Sequence, residues 1–112
     1  MKNTTLKSNT LIRDNVPAIA VQQGKTCRIV HLDDDKYLEL LNNLFLEEVR
    51  NYVEQDEPGK KDLDALADIG EVMHAILAFK GIPVEEFQKA RGQRMEEFGG
   101  YYDRIFLKEI ID

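Results

Sequence analysis

Apolar residues in this chain recur at intervals of three and four, and that period predicts helices. Over residues 37 to 53, Tyr37, Leu38, Leu41, Leu44, Phe45, Val49 and Tyr52 share one broad face when wrapped at about 100° per residue. Asp33 or Asp34 caps this helix, which runs to Gln55. A second long helix covers Lys61 to Lys80 and stops at Gly81, with Leu63, Leu66, Ile69, Val72, Met73, Ile76, Leu77 and Phe79 on its main apolar face. Ala67, Ala75 and Ala78 lie opposite and allow a close approach by another backbone. Pro83 opens a third long helix that ends at Phe98 before Gly99-Gly100. A short helix from Val16 to Gln23 is entered by Pro17 and stopped by Gly24.

The remaining segments are connectors. The stretch "MKNTTLKSNT" (1–10) reads as a loose lead-in, "CRIVHL" (27–32) as a short strand or an extended connector, and "DEPGKK" (56–61) as a loop. The tail "YYDRIFLKEIID" (101–112) is apolar enough to pack on the body or on a neighbour. The expected fold is all-α, one domain over residues 1–112: an antiparallel helical bundle with short loops. A chain of 112 residues forms a modest core, so completion by pairing with further copies is expected.

Composition narrows the class. Charged residues make up 32% of the chain and no run of 18 apolar residues occurs, so a soluble cytoplasmic protein without a membrane partner is expected. One cysteine, Cys27, excludes an internal disulfide framework. The net charge of −6 disfavours nucleic acid, whose phosphates would be repelled, but it is compatible with a small phosphate ester held through a divalent cation.

Glu48 breaks the stripe of the first long helix, one turn from Leu44 and one from Tyr52, with Glu47 and Asn51 on its polar flank. An ionised carboxylate there costs several kcal/mol unless something pairs with it. An arginine from another helix would satisfy it, as would a wetter edge to the stripe. The second long helix adds Asp64, Asp68 and Glu71 at intervals of four and three, with no cation between them. Like charges at those spacings disfavour a helix by a few tenths of a kcal/mol per pair. Inward carboxylates on two adjacent antiparallel helices can hold magnesium, which takes oxygen ligands from carboxylates, water and phosphate.

Four stretches carry a resemblance: "LIRDNVP" (11–17), "DDDKYLELLNNLFLEEV" (33–49), "LADIGEV" (66–72) and "FGGYYDRIFL" (98–107). In this order and spacing the chain resembles the MazG-like all-α nucleoside triphosphate pyrophosphohydrolases, and within them the phosphoribosyl-ATP pyrophosphohydrolase-like group. The resemblance implies a helical bundle completed as a homodimer or homotetramer. It also implies hydrolysis of a nucleotide between its α and β phosphates, giving a monophosphate and pyrophosphate. Magnesium, or manganese in its place, would be held by Glu-x-x-Glu and Glu-x-x-Asp pairs on antiparallel helices, while a spare carboxylate, Glu47 or Glu48, orients the attacking water. Glu48 and Asp68 match the ligand positions. The partner positions are Asn51 and Ala65, so Asn51, Asp64 and Glu71 are the remaining candidate ligands.

Arg13 and Asp14 match the opening motif, where a basic residue would reach phosphate; a capping Asp14 with an exposed Arg13 is the alternative. Arg91 and Arg94 match basic positions of the family and are phosphate candidates, although basic residues near a helix C-terminus also suit the macrodipole. His74, His31 and Cys27 lack a ligand or nucleophile pattern, and Gly70 marks a close helix contact. Asn51 and Ala65 leave a second function class open: a bundle that keeps the fold but has lost turnover, serving as a nucleotide-binding or interaction module.

Overall fold

A computed structural model describes residues 9–55 and 60–112. The lead-in over residues 1–8 and the loop over 56–59 lie outside the described residues. Among the described residues there are four helices and no strand: α1 (Val16–Gln22), α2 (Asp34–Glu54), α3 (Lys60–Phe79) and α4 (Val84–Phe98). The chain forms two compact units, Met1–Ile76 and Leu77–Asp112.

The first unit holds α1, α2 and most of α3. Pro17 stands in the first turn of α1, where its missing N–H costs nothing. Gly24, at φ +76°, ends the helix: Lys25 N–H returns to the Ala20 carbonyl at 2.9 Å and Gly24 N–H to Val21 at 3.0 Å. Residues 25–33 then run without regular secondary structure, so "CRIVHL" forms no ladder. Asp33 caps α2, its Oδ1 accepting from the Lys36 N–H at 2.8 Å, and Asp34 and Asp35 add negative charge to the first turn.

The stripe of α2 follows its period. Leu41 is buried, while Tyr37, Leu38, Leu44, Phe45, Val49 and Tyr52 are half-buried. Glu48 is half-buried among them, whereas Leu46 and Val53, off the stripe, are exposed. In α3 burial is uneven. Val72 is buried and Ile69, Met73 and Ile76 are half-buried, but Leu63 and Leu66 on the same face are exposed. A methyl group built on Gly70 meets nothing within 4 Å, so among the described residues this glycine marks no close contact.

α2 and α3 run antiparallel. The Gln55 side chain at the end of α2 donates to Asp62 in the first turn of α3. Glu48, seven residues back from Gln55, and Asp68, six residues on from Asp62, act on each other electrostatically. At 1.5 Å per residue those offsets are about 10.5 and about 9 Å, which sets the two carboxylates level.

The second unit holds the end of α3, a turn, α4 and the last residues. Gly81, at φ +72°, lets the chain reverse: Ile82 N–H bonds the Leu77 carbonyl at 2.9 Å and Gly81 N–H bonds Ala78 at 3.1 Å. Pro83 serves as the N-cap of α4 rather than its first helical residue. Gly99 closes the helix, its N–H on the Met95 carbonyl at 2.7 Å. Beyond it, Tyr101, Tyr102, Ile105, Phe106, Ile110 and Ile111 are all exposed. Among the described residues, only Ala20, Leu41, Val72 and Leu77 are buried apolar side chains, a small core for this many large hydrophobic residues.

Candidate functional site

Glu48 on α2 and Asp68 on α3 act on each other electrostatically, and Arg13 reaches Asp68 from the segment before α1. Its Nη2 donates to Oδ1 of Asp68 at 2.7 Å, linking residues 55 positions apart. The two side chains are 60% and 49% exposed, so this ion pair is largely solvated and of modest strength. Arg13 is therefore paired with Asp68 while remaining largely exposed. Asp14 is exposed, and the cap position of α1 belongs to Asn15, which makes no side-chain capping bond.

Electrostatics at Glu48 describe the site best. Burial pushes its carboxyl above the usual value, the charges of Asp68 and then Glu47 push it further, and Arg13 opposes them. Three acids thus share a neighbourhood with one guanidinium. Among the described residues the net excess of negative charge around Glu48 suits a cation, and carboxylate oxygens are the donors a hard divalent ion prefers. Among the described residues, no three His, Cys, Asp or Glu side chains are gathered so that they could hold a metal ion by themselves. A cation placed here would therefore draw part of its shell from water and substrate phosphate, which is magnesium's ordinary habit.

The other sequence candidates fall around this centre or outside it. Glu47 is exposed and one residue from Glu48. Asn51, Asp64 and Glu71 are exposed on α2 and α3. In the second unit, Arg91 donates Nη1 to Gln88 Oε1 at 2.7 Å, and the Arg94 guanidinium lies 5.5 Å from the Phe98 ring centroid. Both contacts lie within α4 and hold the two arginines along their own helix. His74 and His31 are exposed, and Cys27 is half-buried and free.

A recess opens beside Glu47. It measures about 150 Å³ and is lined by Asn9, Thr10 and Leu11 before α1 and by Leu40, Asn43, Leu44 and Glu47 on α2. Periodicity alone does not single out Asn9, Thr10 or Asn43. One signal was available: Asn42-Asn43 places two poor helix formers in mid-helix, a cost that a polar contact can offset.

Compared with known proteins, the chain matches no family model, no curated protein and no solved structure.

Proposed function

We propose that this chain is a magnesium-dependent nucleotide pyrophosphohydrolase of the MazG-like, phosphoribosyl-ATP pyrophosphohydrolase-like kind. The observation that carries the proposal is the level pairing of Glu48 and Asp68, with Glu47 adjacent and one opposing guanidinium. The four motif stretches support it independently.

Glu48 and Asp68 would hold the cation, with Asn51, Asp64 and Glu71 as the nearest further candidates along the two helices. When bound, the ion would neutralise the triphosphate and lower the pKa of a coordinated water. Glu47, exposed beside this pair, would orient a water and take its proton. The water oxygen bonds to phosphorus, the bridging P–O bond between the α and β phosphates breaks, and a monophosphate and pyrophosphate leave. Arg13 offers a guanidinium to phosphate once Asp68 has another partner. Arg91 and Arg94 on α4 stay phosphate candidates through the motif positions they match; each makes an exposed contact within its own helix.

Cytoplasmic work on a free nucleotide fits this reading, and no helix among the described residues is long and apolar enough to cross a membrane. A homodimer or homotetramer also belongs to the proposal. The small buried core, the exposed Leu63 and Leu66 and the uncovered residues 101–111 support it, since a second copy would cover apolar surface that one chain leaves in water.

The direct assay is pyrophosphate release from a panel of nucleoside triphosphates with magnesium or manganese. Release that is abolished by Asp68→Asn supports the enzyme. Release at background with every nucleotide and both metals rejects it. A second reading is favoured by the Arg13–Asp68 ion pair and by the incomplete acid cluster: a member of the same fold that binds nucleotide without turnover. It predicts nucleotide binding without release in the same assay.

A further inference from the structure

We propose that the recess beside Glu47 seats the nucleoside part of the nucleotide, so that Asn43 reads the base while the phosphates extend toward Glu48 and Asp68. The assignment rests on the nucleotide reading above but concerns a different part of the surface.

Its chemistry is selective. Leu40 and Leu44 supply apolar walls, and Asn9, Thr10 and Asn43 supply neutral donors and acceptors. Among the described residues no cation lines it, and Glu47 would repel a phosphate placed inside. What remains is an uncharged ring with hydrogen-bonding edges. Size agrees: a closed apolar cavity of roughly 150 Å³ takes up benzene, so a recess of about 150 Å³ accommodates one ring, with the second ring of a purine or the sugar at its open side.

Register agrees as well. Leu40, Asn43, Leu44 and Glu47 fall at i, i+3, i+4 and i+7, a single face of α2. Asn43 therefore stands about 6 Å along the helix from Glu47, room for a sugar between base and first phosphate. An asparagine amide carries two donors and one carbonyl acceptor, enough to pair with a base edge in two directions. This residue is also exposed, so replacing it leaves the packing of α2 intact.

The test uses the whole chain and uncharged probes without metal. Adenosine, guanosine, cytidine, uridine and thymidine are titrated while the Asn43 side-chain amide and the Leu40 and Leu44 methyl groups are followed by NMR. We expect saturable shifts confined to these groups for at least one nucleoside. Asn43→Leu should weaken binding about three- to tenfold, the range for one lost hydrogen bond, with manganese affinity unchanged in a separate titration. If manganese binds and pyrophosphate is released, but no nucleoside moves these resonances, the recess assignment is overturned and the enzyme reading stands. If nucleosides bind there with Asn43 dependence while neither metal binding nor hydrolysis occurs, the recess assignment holds and the enzyme reading falls.

Discussion

Arg13→Met isolates the electrostatic argument at its most sensitive point. The substitution keeps much of the aliphatic length and removes the guanidinium that donates to Asp68 at 2.7 Å. Because the pair is 60% and 49% exposed, its strength belongs to the solvated class, about 0.2–1 kcal/mol. Stability should fall by no more than that, about 4 °C in Tm at most for a chain of this length. Cation binding should respond in the opposite sense, because the guanidinium and a divalent ion compete for the same carboxylate. Removing a competitor worth about 0.2–1 kcal/mol raises affinity about 1.4- to fivefold. Glu48 reports the same change, since losing the Arg13 charge that lowers its pKa lets burial, Asp68 and Glu47 raise it further. Manganese binding by electron paramagnetic resonance measures the first effect, and NMR titration of the Glu48 carboxyl carbon measures the second. A manganese affinity that falls in the variant, or a Glu48 titration that moves down, refutes the reasoning: Arg13 would then assist the cation rather than stand in for it.

Three further outcomes test neighbouring parts of the account. Glu48→Gln should leave the metal-free chain as stable as before or raise its Tm, because it removes a charge that burial disfavours. The sign follows from the raised folded-state pKa: the cost of Glu48 is absent below its ordinary value of 4.5 and grows as pH climbs through the raised value, so the advantage of Gln should increase with pH across that window in urea melts. A variant less stable than the parent above the window would identify a stabilising ion pair instead. Gly70→Ala should add about 0.5–1 kcal/mol, since the added methyl meets open space in a helix interior; a loss of stability would locate a neighbouring copy against that face. Asp33→Ala should cost about 0.5–2 kcal/mol in denaturant unfolding through loss of the cap on Lys36 N–H, and an unchanged midpoint would show the cap to be idle.

Local structure was the legible part. The stripe from Tyr37 to Tyr52 and the Asp33 cap need no information beyond a few neighbouring residues, and α1–α4 start and stop within a residue of the signals that predict them. Glycines at positive φ explain three of those stops, because Gly24, Gly81 and Gly99 adopt a backbone that other residues avoid. Periodicity could not say how much of a face would be covered: Leu63 and Leu66 share the pattern of Val72 yet stay exposed. It marks which side of a helix is apolar and is silent about what lies against it.

The site was half legible for the same reason. Glu48 stood out because it violates a local pattern, and Asp68 because it matched a motif. Arg13 stood out only as a phosphate candidate; its pairing with Asp68 was not legible, since 55 residues separate the two and only the packed chain brings them together. The sequence left an arginine or a metal as alternative partners for misplaced acid. An arginine reaches Asp68, and the excess of carboxylate that remains around Glu48 is what keeps a cation in the account.

Manganese titration of the intact chain addresses the central claim most directly, with paramagnetic broadening followed by NMR in the parent and in Asp68→Asn. Resonances of Glu47 and Glu48 on α2 and of Asp68 on α3 should broaden together at the first additions, and the Asp68→Asn variant should lose this joint response. Broadening scattered over the many other exposed acids, with Glu48 and Asp68 no more affected than Glu85 or Glu96, would contradict it.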